Sequence, residues 1–381
     1  MRKRWAVLLL ALTLTAGGCA GTGEGSSASG DGGKPTGTTT QTTQGVNQME
    51  ELTDHVRFFG RTYTVGKVVF FDWTQSGFTF SFRGTEARAE LAAMNKSLPE
   101  ENNDVFLQIQ VDGGEPEKLR LQKGRRTYVL AENLPEGEHV VRVTKISEAQ
   151  HSYCGLKEIQ LQGEWLPPPA EPEGLKLEFV GDSVTCGMGN LTPEGWQTDT
   201  TLYSDGSQTY AAVAAERLGA CYQVIAASGC GVVRDAGNAE NLLMGRLYEK
   251  TQGLGGCTED WDFSRFVPDA VIVNLGTNDS GVFCDKEELR EGMKALLDTI
   301  RRCNPQAKIV WAYGLMNRGY FDEIRANVEA YAQQDDKVYF VELPLQNIGR
   351  DGTGLGGHPN TVSHELAGEA LAEALRGILD A

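Results

Sequence analysis

Four short segments carry the groups best suited to chemistry. Gly181-Asp182-Ser183 presents a hydroxyl, and Ser228-Gly229-Cys230-Gly231 presents backbone N–H groups among small side chains. Gly276-Thr277-Asn278-Asp279 presents a carboxamide, and Gly356-Gly357-His358-Pro359-Asn360 an imidazole. A serine hydroxyl attacks a carbonyl only if a base takes its proton, and the resulting oxyanion needs N–H donors already in place. Ser183, Gly229, Asn278 and His358 therefore make up the inventory of acyl transfer: nucleophile, backbone donor, amide donor and base. Each alone has an ordinary structural explanation as a tight turn, a cap or a neighbour of a cap. The set of four points to chemistry. Asp182 and Asp279 are read as hydrogen-bonding groups of their turns rather than proton carriers.

Such a set works only if the fold gathers the four segments at one edge. Apolar runs at 175–180, 222–226, 270–275, 308–313 and 337–341 predict strands. Between and after them, 210–218, 286–302, 321–333 and 366–379 predict helices. This alternation predicts an α/β domain over 175–381, a doubly wound parallel sheet of flavodoxin-like type. In such sheets functional groups collect beyond the carboxyl ends of the strands, where the four segments fall. Residues 51–166 read differently: apolar or alternating runs at 67–73, 77–82, 105–111 and 139–143 are separated by turns such as Asp112-Gly113-Gly114. They predict a β-sandwich of jelly-roll type. The stretch 87–98, with Leu91, Ala92 and Met94, reads as helical, and the prolines of 167–174 mark a stiff linker. Trp73 and Trp165 are expected in the core or interface of the sandwich.

The order GDS, Gly, GxND and a late His resembles the four sequence blocks of SGNH hydrolases over 175–380. The first block continues Ser183-Val184-Thr185-Cys186-Gly187-Met188-Gly189-Asn190, and a sandwich precedes it. Together these resemble the acetyl esterases of carbohydrate esterase family 2. The resemblance implies that Ser183 attacks an acetyl ester of a carbohydrate, of the acetylxylan or glucomannan kind, and forms an acyl-enzyme. It implies His358 as base, and an oxyanion hole from the N–H groups of Ser183 and Gly229 and the amide of Asn278. At one place the chain departs from the SGNH pattern. Most members carry Asp three residues before the His; here Leu355 stands there, and the first carboxylate upstream is Asp351. Some family 2 members work as a Ser-His dyad with a backbone carbonyl holding the ring. A dyad is the preferred reading, with Asp351 as the alternative. Trp196, in the long insertion after Gly189, is read either as a platform for a sugar ring or as a pin holding its loop. Two rival functions remain in view: an SGNH esterase for a lipid or peptidoglycan O-acetyl ester, and a non-catalytic carbohydrate-binding surface lipoprotein.

The rest of the chain bounds location and partners. Residues 1–19 read as a lipoprotein signal peptide: Arg2-Lys3-Arg4, an apolar stretch too short to span a bilayer, then small residues before Cys19 as the lipidation site. Residues 20–50, poor in apolar side chains, read as a flexible tether. An extracytoplasmic protein, lipid-anchored to the bacterial cell membrane or secreted, is expected. The net charge of −17 argues against nucleic acid as a partner. The eight cysteines form no CxxC pair and no zinc spacing, so no metal and no cofactor are expected. Without Cys19 seven remain, some of which could pair; Cys221, opening a strand, reads as a small core residue. His55, His139, His151 and His364 read as ordinary surface or packed residues, and the chain is expected to be a monomer.

Overall fold

The computed structural model describes residues 52–95, 104–122, 124–198, 201–252 and 259–380. Cys19, the tether and Cys257 lie outside these residues. The N-terminal part is antiparallel and built from β1 (Val56–Phe59), β2 (Thr62–Val65), β3 (Val68–Phe71), β4 (Gly77–Asn95), β5 (Phe106–Val111), β6 (Glu117–Arg120), β7 (Thr127–Ala131), β8 (Gly137–Lys145) and β9 (Ser152–Trp165). One long strand organises it. The first half of β4 pairs with β1 and β8, and its second half with β7 and β9. The strand changes partners at Gly84, opposite Gly163 of β9. A Cβ on Gly84 would come within 2.0 Å of the Gln162 carbonyl, and one on Gly163 within 1.9 Å of the Arg83 carbonyl. Only glycine permits that approach. Phe78, Phe80, Phe82, Leu107, Val141 and Val143 fill the interior.

The helix expected within 87–98 is not formed where the structure describes it. Residues through Asn95 belong to β4. Ala87, Ala89 and Leu91 are buried while Arg88 and Glu90 are partly exposed, a period of two. Alanine, glutamate and leucine favour helix locally, but pairing on both sides by β7 and β9 decides the outcome.

The C-terminal part is a parallel sheet of β10 (Lys176–Gly181), β11 (Cys221–Ala226), β12 (Ala270–Asn274), β13 (Lys308–Tyr313) and β14 (Val338–Glu342), in the order β11-β10-β12-β13-β14. All five residues of β12 are buried, as a strand covered on both faces requires. The helices Lys286–Cys303 and Phe321–Ala332 cover one face, through Leu289, Met293, Leu297 and Ile324. The helices Tyr210–Leu218 and Thr361–Leu379 cover the other. The last helix starts five residues earlier than 366, where the Asn360 side chain caps it by accepting from Ser363 N–H. The strand order reverses between β10 and β12, and the segments after β10, β11 and β12 meet there.

The two sheets share one core. Trp73 and Ala149 from the antiparallel part lie in the same apolar cluster as β11, β12 and β13, and Trp73 Nε1 donates to the Thr251 carbonyl at 2.9 Å. Arg61, fully buried, donates to the carbonyls of Tyr248 (2.5 Å) and Lys250 (2.8 Å) and faces Glu178 of β10 at 3.4 Å. Its guanidinium sits 5.2 to 5.4 Å from the rings of Tyr248, Trp261 and Phe263. Burial lowers the pKa of Arg61, and the Glu178 carboxylate opposes that shift. Glu178 is otherwise held by Tyr248 Oη and Gln223 Nε2, both at 2.5 Å. Removing the cation leaves a buried carboxylate without its counter-charge. Arg61→Ala should therefore cost about 3–5 kcal/mol, read as a large drop in the urea midpoint. Arg83→Ala, whose pairs with Glu138 and Glu164 lie in solvent, should leave the midpoint nearly unchanged. Equal midpoints for the two variants would contradict this account.

Candidate active site

Ser183 begins the short helix Ser183–Cys186 directly after β10, and it is buried. The Asp182 side chain caps that helix by accepting from Val184 N–H at 3.0 Å, which sets the serine at the strand end. His358 approaches from the loop before the last helix. Its Nε2 lies 2.8 Å from Ser183 Oγ, and its Nδ1 lies 2.8 Å from the Leu355 carbonyl oxygen. A carbonyl can only accept, so Nδ1 carries the proton and Nε2 offers its lone pair to the serine. The ring is therefore poised as a base. Gly356 (φ 59°) and Gly357 (φ 83°) turn the chain so that the Leu355 carbonyl points back at the ring.

The donor side is built by the segments after β11 and β12. Among the described residues, the N–H groups of Ser183 and Gly229 have no acceptor. Asn278 Nδ2 reaches the Cys230 carbonyl at 2.8 Å and Asp182 Oδ2 at 3.2 Å. Asp279 is fully buried and accepts from the N–H groups of Val232 (2.9 Å), Val233 (2.8 Å) and Arg234 (2.8 Å), fixing the loop that carries Gly229. Burial pushes the Asp182 carboxyl up to about 7; the Val184 N–H pulls it down and the neighbouring Asp279 pushes it up. Asp182 and Asp279 thus act as the turn-shaping groups the sequence suggested.

One residue here has no sequence signature. Glu148, fully buried in the loop after β8, accepts a short hydrogen bond from the Ser228 hydroxyl, next to Gly229. The loop is held by Lys145, whose ammonium donates to the carbonyls of Ser147 (2.7 Å) and Glu148 (2.9 Å). The antiparallel part therefore reaches into the donor side of the site. The pairing spans eighty residues of chain, so no local pattern could reveal it.

Comparison with known proteins gives the arrangement its family. Residues 58–169 match the carbohydrate esterase 2 N-terminal family, and 179–366 match the GDSL-like Lipase/Acylhydrolase family. The structure of a family two carbohydrate esterase from Clostridium thermocellum in complex with cellohexaose superposes with a TM-score of 0.78 at 30% identity, covering 85% of this chain and 99% of that one. The chain belongs to carbohydrate esterase family 2. It is a carboxylic ester hydrolase. The cellulase/esterase CelE of Acetivibrio thermocellus is 33% identical over 322 residues, which cover 81% of this chain and 37% of CelE. The chain thus spans little more than a third of that relative. An acetylxylan esterase / glucomannan deacetylase of Cellvibrio japonicus is 25% identical over 339 residues, covering 86% of this chain and 89% of that protein.

In this carbohydrate esterase the other sequence candidates fall in three places. Asp351 does not orient His358: both its oxygens are held by Arg350 at 2.6 Å, and that guanidinium holds its carboxyl below the usual range. Since His358 Nδ1 is engaged by Leu355, the triad alternative is not realised. Trp196 and Asp351 both line a cleft of about 650 Å³ that includes Gly356 and Gly357, beside the His358 loop. Trp196 keeps 44% of its surface exposed, packs edge-on against Tyr203 and donates from Nε1 to the Thr198 carbonyl. His364 is a packed residue: its Nδ1 accepts from Tyr210 N–H, and burial lowers its pKa to about 3. Cys221 opens β11 but is half-exposed, so it is not a core residue; it and the five other described cysteines are all free thiols. Asp351→Asn should leave kcat for a small acetyl ester within about threefold of the parent, because no step of proton transfer reaches it. A loss of about a thousandfold or more in the folded variant would mean that a carboxylate holds the imidazole after all.

Proposed function

We propose that this carbohydrate esterase removes acetyl groups from an O-acetylated plant-type polysaccharide, xylan or glucomannan, through an acetyl-enzyme on Ser183. The observation that carries the reading is the continuous relay Ser183 Oγ–His358–Leu355 carbonyl, with 2.8 Å at each link. Ser183 Oγ attacks the acetyl carbonyl as its proton passes to His358 Nε2. The sugar–oxygen bond to the acyl carbon breaks, and Nε2 returns that proton to the leaving sugar hydroxyl. Water then attacks the acetyl-enzyme, giving its proton to Nε2, and Ser183 leaves with it as acetate departs.

The oxyanion is received by the unspent N–H groups of Ser183 and Gly229. Asn278 contributes its amide by exchanging the longer bond to Asp182 for the oxyanion, while the bond to Cys230 keeps the amide plane in place. Trp196 gives the cleft an exposed aromatic face suited to the C–H face of a pyranose. Acetate release from acetylated xylan, acetylated glucomannan and O-acetylated peptidoglycan should be measured side by side. The reading expects release from at least one of the plant-type polymers and its near-abolition in Ser183→Ala. Release from peptidoglycan alone would transfer the activity to the rival ester, and no release from any acetyl ester would leave a binding protein.

The place of action follows from the N-terminal segment. Signal-like residues 1–19 and the tether 20–50 are consistent with a lipid anchor on Cys19 that holds the esterase outside the cell membrane. Cys19→Ser should shift the protein from the membrane fraction to the medium. Unchanged membrane association of the variant would remove the anchor.

A further inference from the structure

At the opposite end of β11 from the active site lies a second pocket of about 390 Å³, between the antiparallel part and the parallel sheet. It is bounded by Phe59, Cys221, Tyr222 and Phe266, and three arginines line it: Arg57, Arg142 and Arg265. The protein is strongly acidic, and most of its described arginines sit in ion pairs. These three do not. Arg57 donates from Nε to the Pro169 carbonyl, and Arg265 donates to the carbonyl and hydroxyl of Thr62. Among the described residues the Arg142 guanidinium has no hydrogen-bond or ion-pair partner; it lies 3.8 Å from the centre of the Phe59 ring. Among the described residues Glu171 is the one carboxylate lining the pocket, and Lys176 holds it at 2.6 Å.

Among the described residues, Arg57 has Glu171 and Arg265 has Asp262 as a nearby carboxylate, whereas no carboxylate acts on Arg142, which Arg57 repels. Burial lowers the pKa of each, and for Arg142 the neighbouring Arg57 adds to the effect. An arrangement of this kind is stabilised by an anion. Guanidinium forks suit a carboxylate, which they bind through paired hydrogen bonds. The flanking aromatic rings suit a ring-shaped body with apolar faces.

We infer that this pocket binds a uronic acid residue of an acidic polysaccharide, its carboxylate on Arg142 and Arg57 and its ring against Phe59 and Phe266. The choice of a sugar acid rests on the carbohydrate reading of the active site; the cationic pocket stands independently of it. The distance from the catalytic edge is roughly 20 Å, six strand residues and the turn beyond them. A polymer chain can span that length, so the pocket would hold a negatively charged substrate while a neutral acetylated unit enters the site.

Binding of a xylotriose bearing one glucuronic acid, against unsubstituted xylotriose, should be measured by calorimetry on the full chain. The acidic oligosaccharide is expected to bind more tightly, and Arg142→Met to weaken it about tenfold or more, the usual worth of a charge-assisted pair. Arg57→Gln serves as a second variant should Arg142→Met fail to fold. Both variants should keep the parent's kcat on a small neutral acetyl ester. Equal binding of the two oligosaccharides, acidic binding untouched by both variants, or equally tight binding of inorganic sulfate would each overturn the assignment. Failure to deacetylate both neutral acetylated xylan and acetylated glucomannan would strike the active-site reading alone.

Discussion

The hydrogen bond from His358 Nδ1 to the Leu355 carbonyl is the constraint on which the site depends. A serine hydroxyl becomes a nucleophile only when a base whose lone pair faces it takes its proton, and a neutral imidazole presents that lone pair to it only in one tautomer. The carbonyl selects it. The loop is built to hold this acceptor still. Leu355 N–H donates to the Gly189 carbonyl, and Gly354 N–H and Thr353 Oγ1 both reach the His358 carbonyl. Gln346 ties Gly357 from the side. The Leu355 side chain is buried, which explains why an apolar residue stands where related enzymes carry an acid: here the position anchors the loop and its backbone does the orienting. A neutral carbonyl stabilises an imidazolium less than a carboxylate would.

The donor side is where the antiparallel part earns its place. Glu148 grips Ser228 beside Gly229, while Arg61 joins its own part to Glu178 on β10 of the parallel sheet. Both contacts are buried and polar, and both fail if either part moves. Trp73 and Ala149 extend the same core across the boundary. The antiparallel part is thus a wall of the catalytic unit rather than a separate module. Its other edge forms half of the arginine pocket.

Much of this was legible in the chain. The five parallel strands are short, continuous apolar runs, and each functional segment follows one of them or precedes the last helix, so order and position could be read together. Ser183, at the carboxyl end of β10, meets His358, carried by the loop before the last helix, at one edge of the sheet. What escaped depends on contacts between distant residues. The continuation of β4 was masked by helix-favouring residues, some of whose pairing partners lie more than seventy residues away, as Ala87 and Leu161 do. Glu148 carries no motif, and Arg57, Arg142 and Arg265 are gathered from three separate stretches of chain. The start of the last helix was missed although Asn360 provides the cap, because its first turn carries polar Ser363 and His364 before the apolar period begins.

The central claim is that a backbone carbonyl alone fixes the tautomer of the catalytic imidazole. Nitrogen-15 NMR of the histidine-labelled resting enzyme, assigned with His358→Gln, tests it most directly. The account predicts a proton on Nδ1 and an unprotonated Nε2 at neutral pH. It also predicts that the Nδ1 proton resonates in the range of a hydrogen bond to a neutral acceptor and is unmoved in Asp351→Asn. A proton on Nε2, or an Nδ1 proton shifted far downfield as in a carboxylate-bound imidazole, would contradict it.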